Sequence, residues 1–203
     1  KVIESFRQES VGEVTIESGE LSVTWLPTMY KKIKFGTHEN VGWGEIHLPE
    51  TTMHTASYWV EFEEDCADRM GLGKEELGVA LNALANTLRQ VAPVQVMCDL
   101  SDIRAQANLK SPFSSKPTIY LYETYPGGVG FSDKLLSHHK PLFEAAISLL
   151  DDCACKEGCP SCIGSALEGG SHGKNAALRL ARLAVTTPSK SKTLTTTVAP
   201  SQT

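Results

Sequence analysis

Four cysteines fall in the run C-A-C-K-E-G-C-P-S-C at 153–162, and this crowding constrains the chain more than any other feature. The spacing is C-x-C-x3-C-x2-C. A tetrahedral thiolate site needs four soft donors at about 2.3 Å from one point. Two close pairs supply two vertices each, and Gly158 between them lets the backbone reverse. Without a metal, four thiols this close would repel as thiolates and oxidise readily, so the run reads as a metal knuckle. Cys155, Cys159 and Cys162 alone have the spacing of a radical-SAM iron–sulfur site, in which a triad leaves one iron open. Here Cys153 adds a fourth ligand and closes the site, and the run follows a helical pattern rather than the first strand of a barrel. Structural zinc is the first expectation and an iron–sulfur cluster the second. With no open position, the metal is expected to do no catalysis.

The remaining composition narrows the classes. A chain of 203 residues has room for one large domain or two small ones. It does not begin with Met and is read as a segment of a longer polypeptide. No apolar run is long enough to span a bilayer, and the start has no secretion signal. A net charge of -5 counts against binding nucleic acid by bulk electrostatics, though not against a local basic patch. Cys66 and Cys98 stand apart from the cluster and are expected to be buried thiols in a reducing cytosol.

Residues 1–10 are polar and are expected to be a linker. From Val11 to Phe62 the apolar residues alternate with polar ones, as in Leu21, Val23, Trp25 and in Tyr58, Val60, Phe62. Gly19, Pro27, Gly36, Asn40 and Pro49 break the pattern, which predicts an antiparallel sheet of four or five strands. Leu77, Leu81, Leu84, Leu88 and Val91 then recur at helical spacing, predicting a helix over 74–91 that Pro93 ends. Val94 to Leu100 reads as a short buried strand, 105–117 as a loop, and Thr118 to Tyr122 as a second strand. Phe131, Leu135, Leu136, Phe143, Ile147 and Leu150 form a helical face that Pro141 splits in two. A last helix runs from about Lys174 to Ala184. The fold class is therefore α+β: an antiparallel sheet followed by helices, with a C-terminal four-cysteine zinc knuckle. One domain covers 11–185, and the low-complexity tail at 186–203 is expected to be disordered.

Three further constellations have a functional and a plain reading. In Y-P-G-G-V-G (125–130), Gly127 and Gly128 offer backbone amides to a phosphate, or merely supply positive φ for a tight turn. The turn has neither the G-K-[ST] ending of a P-loop nor dinucleotide spacing. Lys32 and Lys34 share one face of a strand, and Trp43 and His47 share a face of the next. They offer charge and stacking to a nucleic-acid strand, or form a solvated face. Asp99 and Asp102 are candidate buried acids, with capping or turn roles favoured over catalysis.

C-D-L-S-D-I (98–103), Y-L-Y-E-T-Y-P-G-G-V-G-F (120–131) and the cysteine run occur in that order. Together they resemble the C-terminal zinc-binding domain of the mitomycin-repair factor A type of superfamily 2 DNA helicases. The resemblance extends upstream to Y-K-K-I-K-F-G-T-H-E-N-V-G-W-G-E-I (30–46) and covers most of 11–185. It implies an ATP-dependent 3′→5′ helicase or translocase used in DNA repair. Zinc would be ligated by Cys153, Cys155, Cys159 and Cys162. DNA, single-stranded or at a junction, would be the partner beside the motor, in the cytoplasm with the nucleoid. This chain has no G-K-[ST] and no D-E-x-[DH] motif, so ATP and Mg2+ belong to separate motor domains and the segment alone is not expected to be catalytic. The alternatives are a zinc-stabilised protein-interaction module and an iron–sulfur redox domain.

Overall fold

The computed structural model describes residues 1–164 and 173–185. In chain order come strands β1 (Val2–Val11), β2 (Val14–Trp25), β3 (Met29–Ile33), β4 (Asn40–Glu45) and β5 (Thr51–Phe62). Helices α1 (Cys66–Met70) and α2 (Lys74–Val96) follow, then strands β6 (Ile103–Asn108) and β7 (Thr118–Glu123). The chain closes with α3 (Phe131–Ser137), α4 (His139–Asp152), α5 (Pro160–Ile163) and α6 (Lys174–Leu183). Five strands make one antiparallel sheet in the order β1-β2-β5-β7-β6, and β3-β4 is a separate hairpin. The ladder between β2 and β5 runs unbroken from Val14↔Phe62 to Trp25↔Thr51, so the hairpin extends from the far end of a long ribbon. Among the described residues no helix is long and apolar enough to cross a membrane.

Alternation decides which sheet face is covered. Val14, Ile16, Tyr58, Val60, Phe62, Ile103, Ile119 and Leu121 point to one face and are buried beneath the helices. Across from them α2 contributes Leu77, Leu81, Leu84 and Leu88 at steps of three and four, the spacing of one helical face. Each such side chain contributes about 1.5–3 kcal/mol when fully buried. The opposite sheet face carries only a small cluster of Val2, Leu21, Trp59 and Tyr120. The fold is thus α+β, with most of the sheet preceding the helices and β6 and β7 completing it after α2.

Four boundaries differ from the sequence expectation. Residues 1–10 are not a bare linker, because Val2–Val11 pairs with β2 as an edge strand. The ladder uses backbone groups, so polar side chains exposed at an edge are compatible with it. α2 continues through Pro93 to Val96, and ends where Met97 takes φ 61 with its N–H bonded to the Pro93 carbonyl. A proline in the last turn forfeits one backbone bond, which the packed helix tolerates. The strand expected at 94–100 is consequently the end of α2 and its cap, and the strand lies at 103–108 instead. There Ile103, Ala105 and Ala107 give a weak apolar alternation against which α2 packs closely. Finally, the break between α3 and α4 falls at His138, and Pro141 sits in the first turn of α4, where no intrahelical N–H is needed. The tail at 186–203 lies outside the described residues.

His139 ties three layers together. The Tyr58 hydroxyl lies 2.6 Å from its Nδ1 and the Ala184 carbonyl 2.9 Å from its Nε2, while the Phe143 ring centroid is 4.7 Å away. A carbonyl only accepts, so Nε2 carries the proton and Nδ1 accepts from Tyr58. Burial holds the His139 pKa below its ordinary value. An unfolded chain therefore takes up this proton at higher pH than the folded one, and stability falls as pH drops below about 6.5. We predict that the His139 ring, followed by NMR, titrates below that ordinary value. We also predict that His139→Gln reduces the difference in melting temperature between neutral and mildly acidic buffer. Titration at or above the ordinary histidine value would contradict the neutral relay.

Candidate metal centre and nucleic-acid surface

The knuckle begins where α4 stops. Cys153 leaves the helix in an extended conformation, Gly158 reverses the chain at φ 127, and Cys159 precedes α5 with Pro160 at its start. The four sulfurs come together as the spacing predicts. Sγ–Sγ distances are 3.5 Å for Cys153–Cys155, 3.6 Å for Cys153–Cys159, 3.5 Å for Cys155–Cys162 and 3.7 Å for Cys159–Cys162. All four sulfurs lie within 4.8 Å of one another. A tetrahedron with bonds of about 2.3 Å has edges of about 3.8 Å, so the cage is the size of one zinc ion. A cluster of several irons would have to sit between the sulfurs and force them apart.

The thiols do not ionise together unaided. The hydrogen bond from Cys153 draws Cys159 down to about 7, whereas burial pushes Cys162 up to about 12. A divalent cation supplies the stabilisation that four thiolates need.

What holds the loop is less visible in sequence. Lys174 is only 7% exposed, and its ammonium donates to the Cys153 carbonyl at 2.6 Å and the Cys155 carbonyl at 2.7 Å. Its backbone N–H reaches the Glu157 carbonyl at 3.1 Å. From α2, Asn86 Nδ2 donates to the Ile163 carbonyl at 3.2 Å, and the Thr87 hydroxyl lies 2.8 Å from the Cys162 carbonyl. Sequence reasoning missed Lys174, Asn86 and Thr87 because each acts on backbone carbonyls, which leave no motif. One signal existed: a lysine opening a helix opposes the helix dipole and needs a local reason.

The glycine turn corrects the phosphate expectation. Gly127, Gly128 and Gly130 adopt φ of 76, 74 and 96, the left-handed region. A Cβ on Gly128 would fall 2.5 Å from that of Ala56. The turn's amides are already engaged: Gly127 donates to the His54 carbonyl, Gly128 to that of Tyr125, and Val129 to the Glu123 carboxylate. Glu123 also accepts from the Ser132 N–H and hydroxyl, both at 2.8 Å. A buried carboxylate of the protein itself occupies the start of α3, the position an external phosphate would take. Asp99 and Asp102 serve the turn after α2. Asp99 accepts from Ser101, which lowers its pKa, and Asp102 accepts from the Asp99 N–H and the Tyr125 hydroxyl. Cys66 is buried, while Cys98 is only partly so.

The hairpin changes the grouping of the basic and aromatic residues. Lys31 faces Trp43 across the strands, Lys32 faces Gly42 and Tyr30 faces Gly44. Trp43 therefore shares its face with Lys31, whose ammonium lies 5.7 Å from the ring centroid, rather than with Lys32. Lys32 sits 5.8 Å from the Tyr30 ring on the other face. Lys34 lies just past β3 and His47 just past β4, both exposed. A one-residue offset in register exchanges faces, and only the pairing fixes it. Trp43 is 58% and Tyr30 45% exposed, so both sides of the hairpin offer aromatic rings beside ammonium groups.

The profile of the MrfA Zn-binding domain matches residues 84–163, from the middle of α2 to just past the last cysteine. The chain carries an MrfA Zn-binding domain. It is 38% identical over 169 residues to the uncharacterized ATP-dependent helicase YprA of Bacillus subtilis (strain 168), covering 83% of this chain and 22% of that protein. The crystal structure of the helicase MrfA bound to DNA superposes with a TM-score of 0.71 at 37% identity, over 90% of this chain and 24% of MrfA. MrfA bound to DNA and AMPPNP gives 0.54 at 32% identity, over 88% and 22%. The chain therefore spans less than a quarter of the helicases it resembles.

We predict one zinc per chain by elemental analysis, in a colourless protein. Lys174→Met should weaken zinc retention about tenfold in competition with a colorimetric chelator, the usual effect of losing an outer-shell partner. Unchanged retention would remove Lys174 from the support of the site.

Proposed function

We propose that this chain is the zinc-binding accessory domain of an ATP-dependent DNA helicase, which holds or guides a DNA strand beside separate motor domains. The observation that carries the reading is the likeness along 90% of the chain to a helicase solved with DNA. Zinc, held by Cys153, Cys155, Cys159 and Cys162, is structural. It locks the loop after α4 onto α2 and α6 and leaves no position for a substrate. ATP and Mg2+ act in the motor domains. The 3′→5′ polarity, the role in DNA repair and a cytoplasmic, nucleoid-associated location follow from the family resemblance.

DNA meets the hairpin, where Lys31, Lys32 and Lys34 supply charge and Tyr30, Trp43 and His47 supply stacking surfaces. Such contacts favour single strands or a single-strand/duplex junction, because bases inside a duplex are already stacked on both faces. With a net charge of -5, the domain repels DNA at long range, so binding relies on this local arm and on enclosure by the motor.

Charge reversal of Lys31, Lys32 and Lys34 to Glu in the full-length protein tests this. Unwinding of a 3′-tailed duplex should fall about tenfold through lost phosphate contacts, with basal ATP hydrolysis retained. Undiminished unwinding together with loss of a protein partner would instead make the domain a protein-interaction module. Unwinding confined to 5′-tailed substrates would overturn the polarity.

A further inference from the structure

The helices cover one face of the five-stranded sheet. The other face carries no helix; Trp59 and Tyr120 on it are buried, and beside them a groove of about 750 Å³ runs toward the root of the hairpin. Its floor is apolar, with Val2, Leu21, Val23 and Met53. Its wall is made by the alternate residues Arg104, Gln106 and Asn108 of the edge strand β6, the first two beside aromatic rings of β7 and the third beside Thr118. Arg104 pairs with Tyr122 and Gln106 with Tyr120. Such alternate residues are about 6.7 Å apart and point the same way. Tyr120 is fixed by its hydroxyl against Ser111 at 2.8 Å, whereas Tyr122 is only half-buried. At the far end Trp25, 45% exposed, closes β2 where the chain departs into the hairpin.

The charge of this groove is opposite to that of the chain. Asp and Glu outnumber Lys and Arg by 24 to 19, yet the charged residues lining the groove are Lys1 and Arg104, with no carboxylate among them. Among the described residues Arg104 makes no ion pair. Apolar floor, aromatic rings and an unpaired guanidinium suit a ligand that is flat, apolar on its faces and anionic along one edge.

We propose that this open sheet face is a second nucleic-acid site, a track for single-stranded DNA continuous with the hairpin. Unpaired bases stack on Tyr122 and Trp25, and Arg104 takes a phosphate. Gln106 and Asn108 reach base edges or sugars beyond it. Duplex DNA does not meet these demands, because its base faces are already stacked. An acidic peptide matches the charge but leaves the exposed rings without partners. The proposal rests on the reading of the chain as part of a DNA helicase, and it extends the contact surface from the hairpin to the sheet.

Fluorescence anisotropy of labelled oligothymidylate with the full-length protein provides the test. Tyr122→Ala should weaken binding about tenfold while Tyr122→Phe retains it, as expected for a stacking platform. Arg104→Gln should lower the slope of log affinity against log salt by about one. Two results overturn the track. In the first, Arg104→Gln and Tyr122→Ala bind like the unaltered protein while Lys31→Glu with Lys32→Glu weakens binding; the helicase reading then stands. In the second, the groove variants lose thermal stability at unchanged affinity, and the face is covered by other parts of the protein's own chain. Failure of the hairpin and groove variants alike to alter oligothymidylate affinity would overturn both readings.

Discussion

The burial of α2 on two sides is the constraint on which the rest of the molecule depends. One side presses Leu81, Leu84 and Leu88 onto the sheet, and the other receives α4, α5 and α6. Asn86 and Thr87 on the same helix hold the carbonyls of Cys162 and Ile163. The metal loop is therefore registered on the sheet through one rigid element. Packing of its two buried sides, rather than intrinsic propensity, supplies most of the stability of this 23-residue helix. The same packing carries Pro93 through the last turn, so a residue that ordinarily ends helices becomes a local cost within a well-buried segment.

Three buried ionisable groups mark the joints between layers. Glu123 joins β7 to the glycine turn and the start of α3, His139 joins the sheet to α4 and α6, and Lys174 joins α6 to the knuckle. Each is hydrogen-bonded to groups outside its own element, six to nine residues away for Glu123 and about twenty or more for His139 and Lys174. An unsatisfied buried partner costs about 1–3 kcal/mol, so these joints specify one arrangement of the layers more sharply than apolar contact does. They also place the chemistry of the domain inside it, where it maintains shape. The surfaces proposed to meet a ligand, the hairpin and the helix-free sheet face, lie away from these joints.

Those surfaces are basic and aromatic on a chain that is acidic overall. If the domain holds DNA as proposed, long-range repulsion combined with short-range stacking would give weak binding to any DNA that merely diffuses past and stronger binding to a strand already delivered. In the proposed accessory role, a strongly basic domain would retain the strand at each advance of a motor, which the acidic balance avoids.

Much of this was legible in the sequence. Period-two alternation located the strands that bury one face, helical spacing located α2 and α4, and the cysteine spacing located the metal cage, because each of these patterns is set by local geometry. The ordered motifs carried the family as well. The tertiary structure alone decided that residues 2–11 are an edge strand, since a backbone ladder is indifferent to polar side chains. It decided that Trp43 stands with Lys31 and not Lys32, because strand register depends on the partner. It also decided that Glu123 occupies the start of α3, and that Lys174 braces the cysteine loop from a helix lying beyond it. Spacing along a chain fixes which side chains can act together locally. Which distant carboxylate, ammonium or strand edge completes them is fixed only when the layers close.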